Sequence, residues 1–342
     1  MRNIAYLIDD PALGGVGRTL ASQIEHLKDQ FEIELMVVNA YNPLPPHMEH
    51  DAVAVNFTAS WSKLPFLSLL RAQHASRPLL LVEHMYTEAF ERQMVPNVVR
   101  FRTMLKLTYR LVDLVVCVSD GQARWMRNAG IVPAEKIRVI RSASDCQHLF
   151  DVAPPRRAAD RPLRLVAYGR YSWQKGYEVL IEAMRHVPPE IATLAFAGYG
   201  PDEHAMKLAA SGLPHVHIGE PISDLKAFLA GCDAVAVPSR WEPFGLVAAE
   251  ARSAARPIIV SDLDGLSEQV DLDCGIAVTP EDPRALADAI IALSERDLTA
   301  MGLAARASVA DHFAGNIRGY RELLSGLADW QHGDERKLSS AA

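Results

Sequence analysis

The chain has 342 residues with 49% hydrophobic and 23% charged side chains, a soluble globular composition long enough for two ordinary domains. No apolar run approaches the ~18–20 residues needed to cross a bilayer, and the net charge of −7 argues against a general grip on nucleic acid. The first 150 residues hold 16 Lys and Arg against 15 Asp and Glu, the remainder 19 against 27, so two domains with different surfaces are expected.

In chain order, the first half offers short apolar runs over residues 3–8, 33–38, 52–55, 79–82 and 114–118. Each is bounded by polar or turn residues, as strands buried on both faces of a parallel sheet would be. Helical patterns lie between several of them, over 18–28, 63–73 and 98–111. The N-terminus has no signal-peptide shape, and Cys117, Cys146, Cys232 and Cys274 form no C-x-x-C pair. Reduced core cysteines and a cytoplasmic location are therefore expected. Residues 151–162, DVAPPRRAADRP, have linker composition.

The second half repeats the rhythm. Strands are expected over 163–168, 194–197, 234–237 and 257–260, and helices over 176–185, 224–230, 246–255, 283–294, 300–312 and 318–330. Alternating β and α elements imply an α/β doubly wound sheet in each half. Such sheets bind ligands at the carboxyl ends of their strands, so the residues there carry the functional reading.

At the end of the first strand stands Gly14-Gly15-Val16-Gly17, ahead of a helix. This is a turn that lets backbone N–H groups approach a phosphate, and equally one that any strand-to-helix turn would favour. In the second half, Gly169-Arg170-Tyr171-Ser172-Trp173-Gln174-Lys175-Gly176 puts Arg170 and Lys175 in the loop after a strand. Two cations there can neutralise a diphosphate leaving group without a metal, or can equally be two solvated surface cations. Gly198-Tyr199-Gly200-Pro201 makes a second glycine turn at the same end. Ser239-Arg240-Trp241-Glu242-Pro243-Phe244-Gly245 follows the 234–237 strand, with Glu242 in the loop and Glu250 on the next helix. A carboxylate accepts two hydroxyl hydrogen bonds well, so this pair suits vicinal hydroxyls of a sugar and a ribose. His84 ends the 79–82 strand, where a structural and a catalytic role are both open. Asp262-Leu263-Asp264 and Asp271-Leu272-Asp273 read as turn chemistry rather than metal sites.

Taken together, these motifs resemble the GT-B-fold retaining glycosyltransferases of family four, the glycosyl transferases group 1. They are Gly169-Arg170 with Lys175-Gly176, Gly198-Tyr199-Gly200-Pro201, the Glu242-x7-Glu250 spacing, Asp264-Gly265-Leu266-Ser267-Glu268, Gly14 to Gly17, His84 and Val118-Ser119. The resemblance implies two Rossmann-like domains facing a deep cleft: 1–150 on the acceptor side, 151–315 binding a nucleotide sugar, and 316–342 as a helix crossing back with a polar tail. It implies that Arg170 and Lys175 bind the donor diphosphate, with Gly15 and Gly17 closing on it. Glu250 would hold the ribose, Glu242 with Phe244, Gly245 and Leu246 the donor sugar, and Gly198 and Gly200 would line the donor site. His84 would lie near the reacting face.

The implied activity is retaining, metal-independent transfer from a nucleoside-diphosphate sugar, UDP- or GDP-linked first, with no cofactor. The acceptor would be a carbohydrate, a lipid-linked compound or a small molecule in cell-surface polysaccharide or glycoconjugate assembly. Two departures stand out. Residues 141–145 read Arg-Ser-Ala-Ser-Asp where the family often has Asn-Gly-hydrophobic-Asp, and Asp264 replaces the first glycine of a G-G-x-x-E motif. The rivals are a GT-B nucleotide-sugar 2-epimerase, a non-catalytic nucleotide-sugar-binding subunit and a nicotinamide dehydrogenase. Helix 98–111 carries Arg100, Arg102, Lys106 and Arg110 with no acid, so peripheral contact with an anionic membrane at the inner face of the cell is weighed against an ordinary solvated basic face.

Overall fold

The computed structural model describes residues 1–10, 14–158, 160–271 and 273–327. The chain divides into two compact units, one built from Met1–Ser144 with the chain from Ala314 onward, the other from Asp145–Phe313.

The first unit runs β1 (Arg2–Ile8), α1 (Gly14–Leu27), β2 (Phe31–Val37), β3 (Ala52–Val55), α2 (Leu64–Gln73) and β4 (Leu79–Glu83). It continues through α3 (Glu88–Met94), α4 (Val98–Arg110), β5 (Leu114–Cys117), α5 (Asp120–Asn128) and β6 (Ile137–Val139). Its sheet has the order β2-β1-β3-β4-β5-β6 and every pairing is parallel. All residues of β3, β4 and β5 are buried, which is why these strands read as continuous apolar runs rather than alternating ones. Leu7, Val53, Val55, Leu81 and Val115 meet Phe66, Leu67 and Leu70 of α2 in the core.

The second unit runs β7 (Leu163–Arg170), α6 (Tyr177–Met184), β8 (Ala192–Tyr199), α7 (Glu203–Ala209), β9 (Val216–Gly219) and α8 (Leu225–Ala230). Then follow β10 (Ala234–Val237), α9 (Leu246–Ser253), β11 (Ile258–Ser261), β12 (Gly275–Val278), α10 (Pro283–Ser294) and α11 (Leu298–Ser308). Its sheet order is β12-β11-β10-β7-β8-β9, again all parallel. The chain winds outward from β7 through β8 to β9, then returns to lay β10 on the other side of β7. That reversal opens a crevice at the carboxyl ends of β7 and β10, where doubly wound sheets bind ligands.

The last helix, α12 (His312–Gly326), begins four residues after α11 ends and from Ala314 belongs to the first unit. There Asn316 Nδ2 donates to the Arg141 carbonyl at 2.7 Å, Arg321 pairs with Asp29 at 3.0 Å, and Arg2 donates to the Leu324 carbonyl at 3.1 Å. The expected helices at 300–312 and 318–330 are thus α11 and α12 with shifted ends, and residues 328–330 lie outside the described ones. Asp297 sets the start of α11 by accepting from the Thr299 and Ala300 amides. The 147–149 turn falls in the second unit, where Leu149 is buried and Arg306 of α11 donates to the Val152 carbonyl.

Candidate functional site

Lys175 closes a short 3-10 turn, Trp173–Lys175, between β7 and α6; Glu242 lies in the loop between β10 and α9. The structure brings them together across the crevice: Lys175 Nζ lies 2.6 Å from Glu242 Oε2, and Ser239 Oγ donates to the same oxygen at 3.2 Å. Both side chains are mostly shielded from solvent, at 18% and 12% exposure, so the charges interact in a medium less polar than water. Cation and carboxylate, expected on separate parts of a donor, hold one another here. Arg170 is the last residue of β7, and its side chain is exposed.

Backbone contacts between the two loops set this geometry. Gly176 caps α6 with φ 62°, and a Cβ built there would lie 2.2 Å from the Pro238 carbonyl oxygen. Only glycine combines that left-handed backbone with so close an approach. Arg240 N donates to the Gln174 carbonyl at 2.8 Å, and Gln174 Nε2 donates to the Trp241 carbonyl at 3.1 Å. Gly198 and Gly200 sit at the end of β8 with their α-carbons against the Gly169 and Tyr171 carbonyls, so close packing of β8 on β7 requires them.

Beyond Glu242, Asp264 takes a left-handed backbone with φ 44° and accepts the Glu242 amide at 3.2 Å, while Gly265 N donates to the Glu242 carbonyl at 3.1 Å. Asp and Asn tolerate this conformation better than other side chains, which explains how Asp264 stands where the resemblance led one to expect glycine. Gly245 ends the loop, and the N-terminus of α9 begins at half-buried Leu246. Phe244 is buried and stacks on His312 at 5.1 Å, so its backbone rather than its ring is left to face a ligand. Gln269 Nε2 donates to the Phe244, Gly245 and Gly265 carbonyls. Glu250 is 2% exposed and accepts from Tyr168 Oη at 3.0 Å. Burial beside that carboxylate holds the Tyr168 phenol well above its ordinary pKa, so it stays a donor.

In the first unit, α1 starts at Gly14, and a Cβ built on Gly17 meets none of the described residues within 4 Å. The packing of the unit therefore does not require glycine at 17. Gly15 is half-buried, and its carbonyl accepts from Thr19 Oγ1 at 3.1 Å. His84 directly follows β4. Asn56 Nδ2 donates to the Ala54 carbonyl at 3.0 Å, which turns its Oδ1 toward His84 Nε2 at 3.3 Å. His84 accordingly donates from Nε2 and keeps Nδ1 as an acceptor. Burial lowers its pKa to about 4, so at neutral pH the ring is uncharged. Its loop hangs on Glu83, a buried carboxylate that accepts from the Met85 and Tyr86 amides at 2.8 and 3.1 Å and from Tyr109 Oη at 2.7 Å. A further buried pair, Lys63 Nζ to Asp9 Oδ2 at 2.5 Å, ties the carboxyl end of β1 to the connection after β3.

The ends of the strands stand out in the sequence, but the residues that brace them do not: Tyr168, Gln174, Gln269, Asn56, Glu83 and the side-chain role of Arg240. The four cysteines are buried and form no disulfide. Asp271 Oδ1 accepts from the Asp273 and Cys274 amides, which is turn chemistry. Among the described residues no cluster of three His, Cys, Asp or Glu is placed to hold a metal ion. Arg102, counted toward the basic face of α4, is engaged with Glu91 of α3 at 2.6 and 2.8 Å.

Two Rossmann-like units, each with six parallel strands, define the GT-B class, and a cation–carboxylate pair marks the switch point of the second. Residues 162–296 match the family model of the glycosyl transferases group 1. The chain is 35% identical over 180 residues to D-inositol 3-phosphate glycosyltransferase of Xylanimonas cellulosilytica, covering 50% of this chain and 42% of that one. It is 32% identical over 209 residues to glycogen synthase of Mycobacterium tuberculosis, covering 57% and 46%. The chain thus spans less than half the length of these two relatives. Among solved structures, HepE of Anabaena in complex with UDP-glucose matches at TM-score 0.75 and 21% identity, over 95% of this chain and 100% of that one, a likeness of fold.

Proposed function

We propose that the chain is a retaining glycosyltransferase that moves a sugar from a nucleoside diphosphate to an acceptor hydroxyl without a metal. The Lys175–Glu242 pair, at the switch point of the unit that matches the family, carries this reading. Its related proteins support a nucleotide-sugar donor, since HepE is seen with UDP-glucose. In the reaction the bond from the anomeric carbon to the diphosphate oxygen breaks, and the acceptor oxygen bonds to that carbon on the same face. The acceptor's proton passes to the departing phosphate. Lys175 and Arg170 would take up the charge growing on that phosphate, and fixed polar groups would surround the ring, with no side-chain nucleophile required.

When Lys175 turns to the phosphate, Glu242 is released to accept sugar hydroxyls, together with the Phe244, Gly245 and Leu246 backbone. Glu250, held by Tyr168, would accept from the ribose. Gly15 and Gly17 would offer backbone N–H groups to phosphate oxygens. His84, neutral, would accept a hydroxyl at Nδ1 rather than donate a proton from a charged ring.

The acceptor side of the reading includes a membrane surface. No helix of the described residues is long and apolar enough to cross a bilayer. On α3 and α4, however, Met94, Val98, Val99 and Leu107 are exposed beside exposed Arg92, Arg100, Lys106 and Arg110. Nothing from Arg92 to Val112 is acidic. Such a face suits an anionic lipid surface and hence a lipid-linked acceptor in surface-glycan assembly. Flotation with phosphatidylglycerol vesicles at low salt should carry the protein upward; retention in the soluble fraction would sink the membrane contact.

The central test is thermal stability with UDP, GDP, ADP and NAD, each with and without EDTA. A ligand at ~100 times its dissociation constant adds about 2.7 kcal/mol to the folded state. Stabilisation by one diphosphate, indifferent to EDTA, is the expected result, followed by acceptor-dependent release of that diphosphate and a product of unchanged anomeric configuration. Stabilisation by NAD alone, or diphosphate release without an acceptor alongside an epimerised sugar, would overturn the transferase.

A further inference from the structure

The chemistry proposed for the second unit needs a group that holds in place both loops, the one with Lys175 and the one with Glu242. Arg240, two residues before Glu242, does so for both. Its guanidinium is 7% exposed and reaches three separate elements. Nη1 donates to the Trp173 carbonyl at 2.6 Å, in the turn that carries Lys175. Nη2 pairs with Glu178 in the first turn of α6. Nε donates to Glu281, between β12 and α10, at 2.8 Å. The same plane lies over the Trp173 ring at 4.3 Å, and that ring packs against Trp241 at 5.6 Å. Glu281 holds a left-handed backbone with φ 60°, which a side chain disfavours and which surrounding contacts must maintain.

A planar fork with five donors suits this task, because it can bond in three directions at once while stacking on indole; a lysine ammonium cannot. With the backbone bond from Arg240 N to the Gln174 carbonyl, the loop after β10 and the turn after β7 become one braced unit. Trp173 is two residues from Lys175, as Arg240 is from Glu242.

We infer that Arg240 is a positioning residue, which sets the separation of Lys175 from Glu242 and so the placement of Lys175 on the donor diphosphate. It acts through the loop and touches no substrate. The inference rests on the transferase reading, and its test separates the two.

Arg240→Met and Arg240→Lys should both fold, since the carboxylates that lose this guanidinium, Glu178 and Glu281, are partly solvated at 43% and 37% exposure. Hydrogen exchange read on peptides covering residues 171–178 should accelerate at least tenfold in Arg240→Met, with β8 and α10 unchanged. Wild-type exchange there would overturn the inference, whatever the enzyme does. Diphosphate release should fall about 10- to 100-fold in kcat in Arg240→Met, with partial recovery in Arg240→Lys. In a Lys175→Ala background the same substitution should change kcat less than about twofold. An undiminished effect in that background would show that Arg240 does not act through Lys175 and would overturn it as well. Absence of turnover by the wild type with any nucleotide sugar would instead defeat the transferase reading, while the exchange comparison would still decide what Arg240 holds.

Discussion

Replacing Lys175 by alanine has two consequences of different size, and separating them tests the assignment. In the free protein, the change leaves the shielded Glu242 carboxylate with Ser239 Oγ as its remaining named donor. Stranding a partly buried charge that keeps a hydrogen bond costs on the order of 1–3 kcal/mol, a few degrees in Tm for a unit of this size. In the reaction, a cation ~4 Å from a phosphate oxygen, at an effective dielectric constant of about 20, is worth about 4 kcal/mol per unit charge. Only charge that grows as the bond breaks counts toward rate, so about 3 kcal/mol of transition-state stabilisation should go, on the order of 100-fold in kcat. The assay is diphosphate release at saturating donor, with Tm measured on the same preparation. The expected signature is a modest drop in Tm, a small change in KM and the large loss in kcat. A folded Lys175→Ala protein turning over within about threefold of wild type would refute the leaving-group role.

Two glycines should part company. Gly176→Ala meets the Pro238 carbonyl at 2.2 Å in a left-handed backbone, so chemical denaturation should show a loss of about 3 kcal/mol or more. Gly17→Ala meets none of the described residues within 4 Å and should unfold like the wild type while binding the diphosphate at least several-fold more weakly; unchanged affinity would remove Gly17 from the donor site. His84 supplies a pH test. Its folded-state pKa of about 4 lies below the unfolded 6.5, so the neutral ring stabilises the fold fully above pH 6.5 and that contribution is lost as pH falls toward 4. Urea denaturation of wild type and His84→Gln should therefore show the variant gaining on the wild type between pH 7 and pH 4.5; the neighbouring Glu83 titrates in both and cancels. A difference independent of pH would mean that the ring is not held neutral by burial.

The parts of the fold legible in the sequence were those with strong periodicity. β3, β10 and α10 have the boundaries their apolar patterns suggested, because burial on both faces of a parallel sheet leaves an unbroken hydrophobic run. β6 and β12 carry half-buried or exposed residues, so no unbroken apolar run marks them. α3 and α5 are announced by caps instead: Thr87 accepts from the Phe90 amide and Ser119 from the Gln122 amide. At the candidate site, position along the chain pointed to Lys175, Glu242 and Glu250 as candidates, since loops after strands in such sheets are few. Their partners were not legible. That Lys175 meets Glu242, or that Arg240 turns from solvent onto Trp173, depends on β10 lying beside β7, a neighbour relation between residues some seventy positions apart.

The course of α12 has a consequence for how the protein is made. The first unit has a sequence-distant last piece: Tyr320 is buried there, and Asn316 closes on the Arg141 carbonyl. On a ribosome that delivers ~5–20 residues per second, everything from Asp145 to Phe313 must emerge before that piece arrives. The second unit is complete in one stretch and can finish while the first still waits for its closing helix. The part synthesised earliest is thus sealed last, and during that interval the apolar surface that Ile317, Tyr320 and Leu324 cover in the finished protein stays open to water.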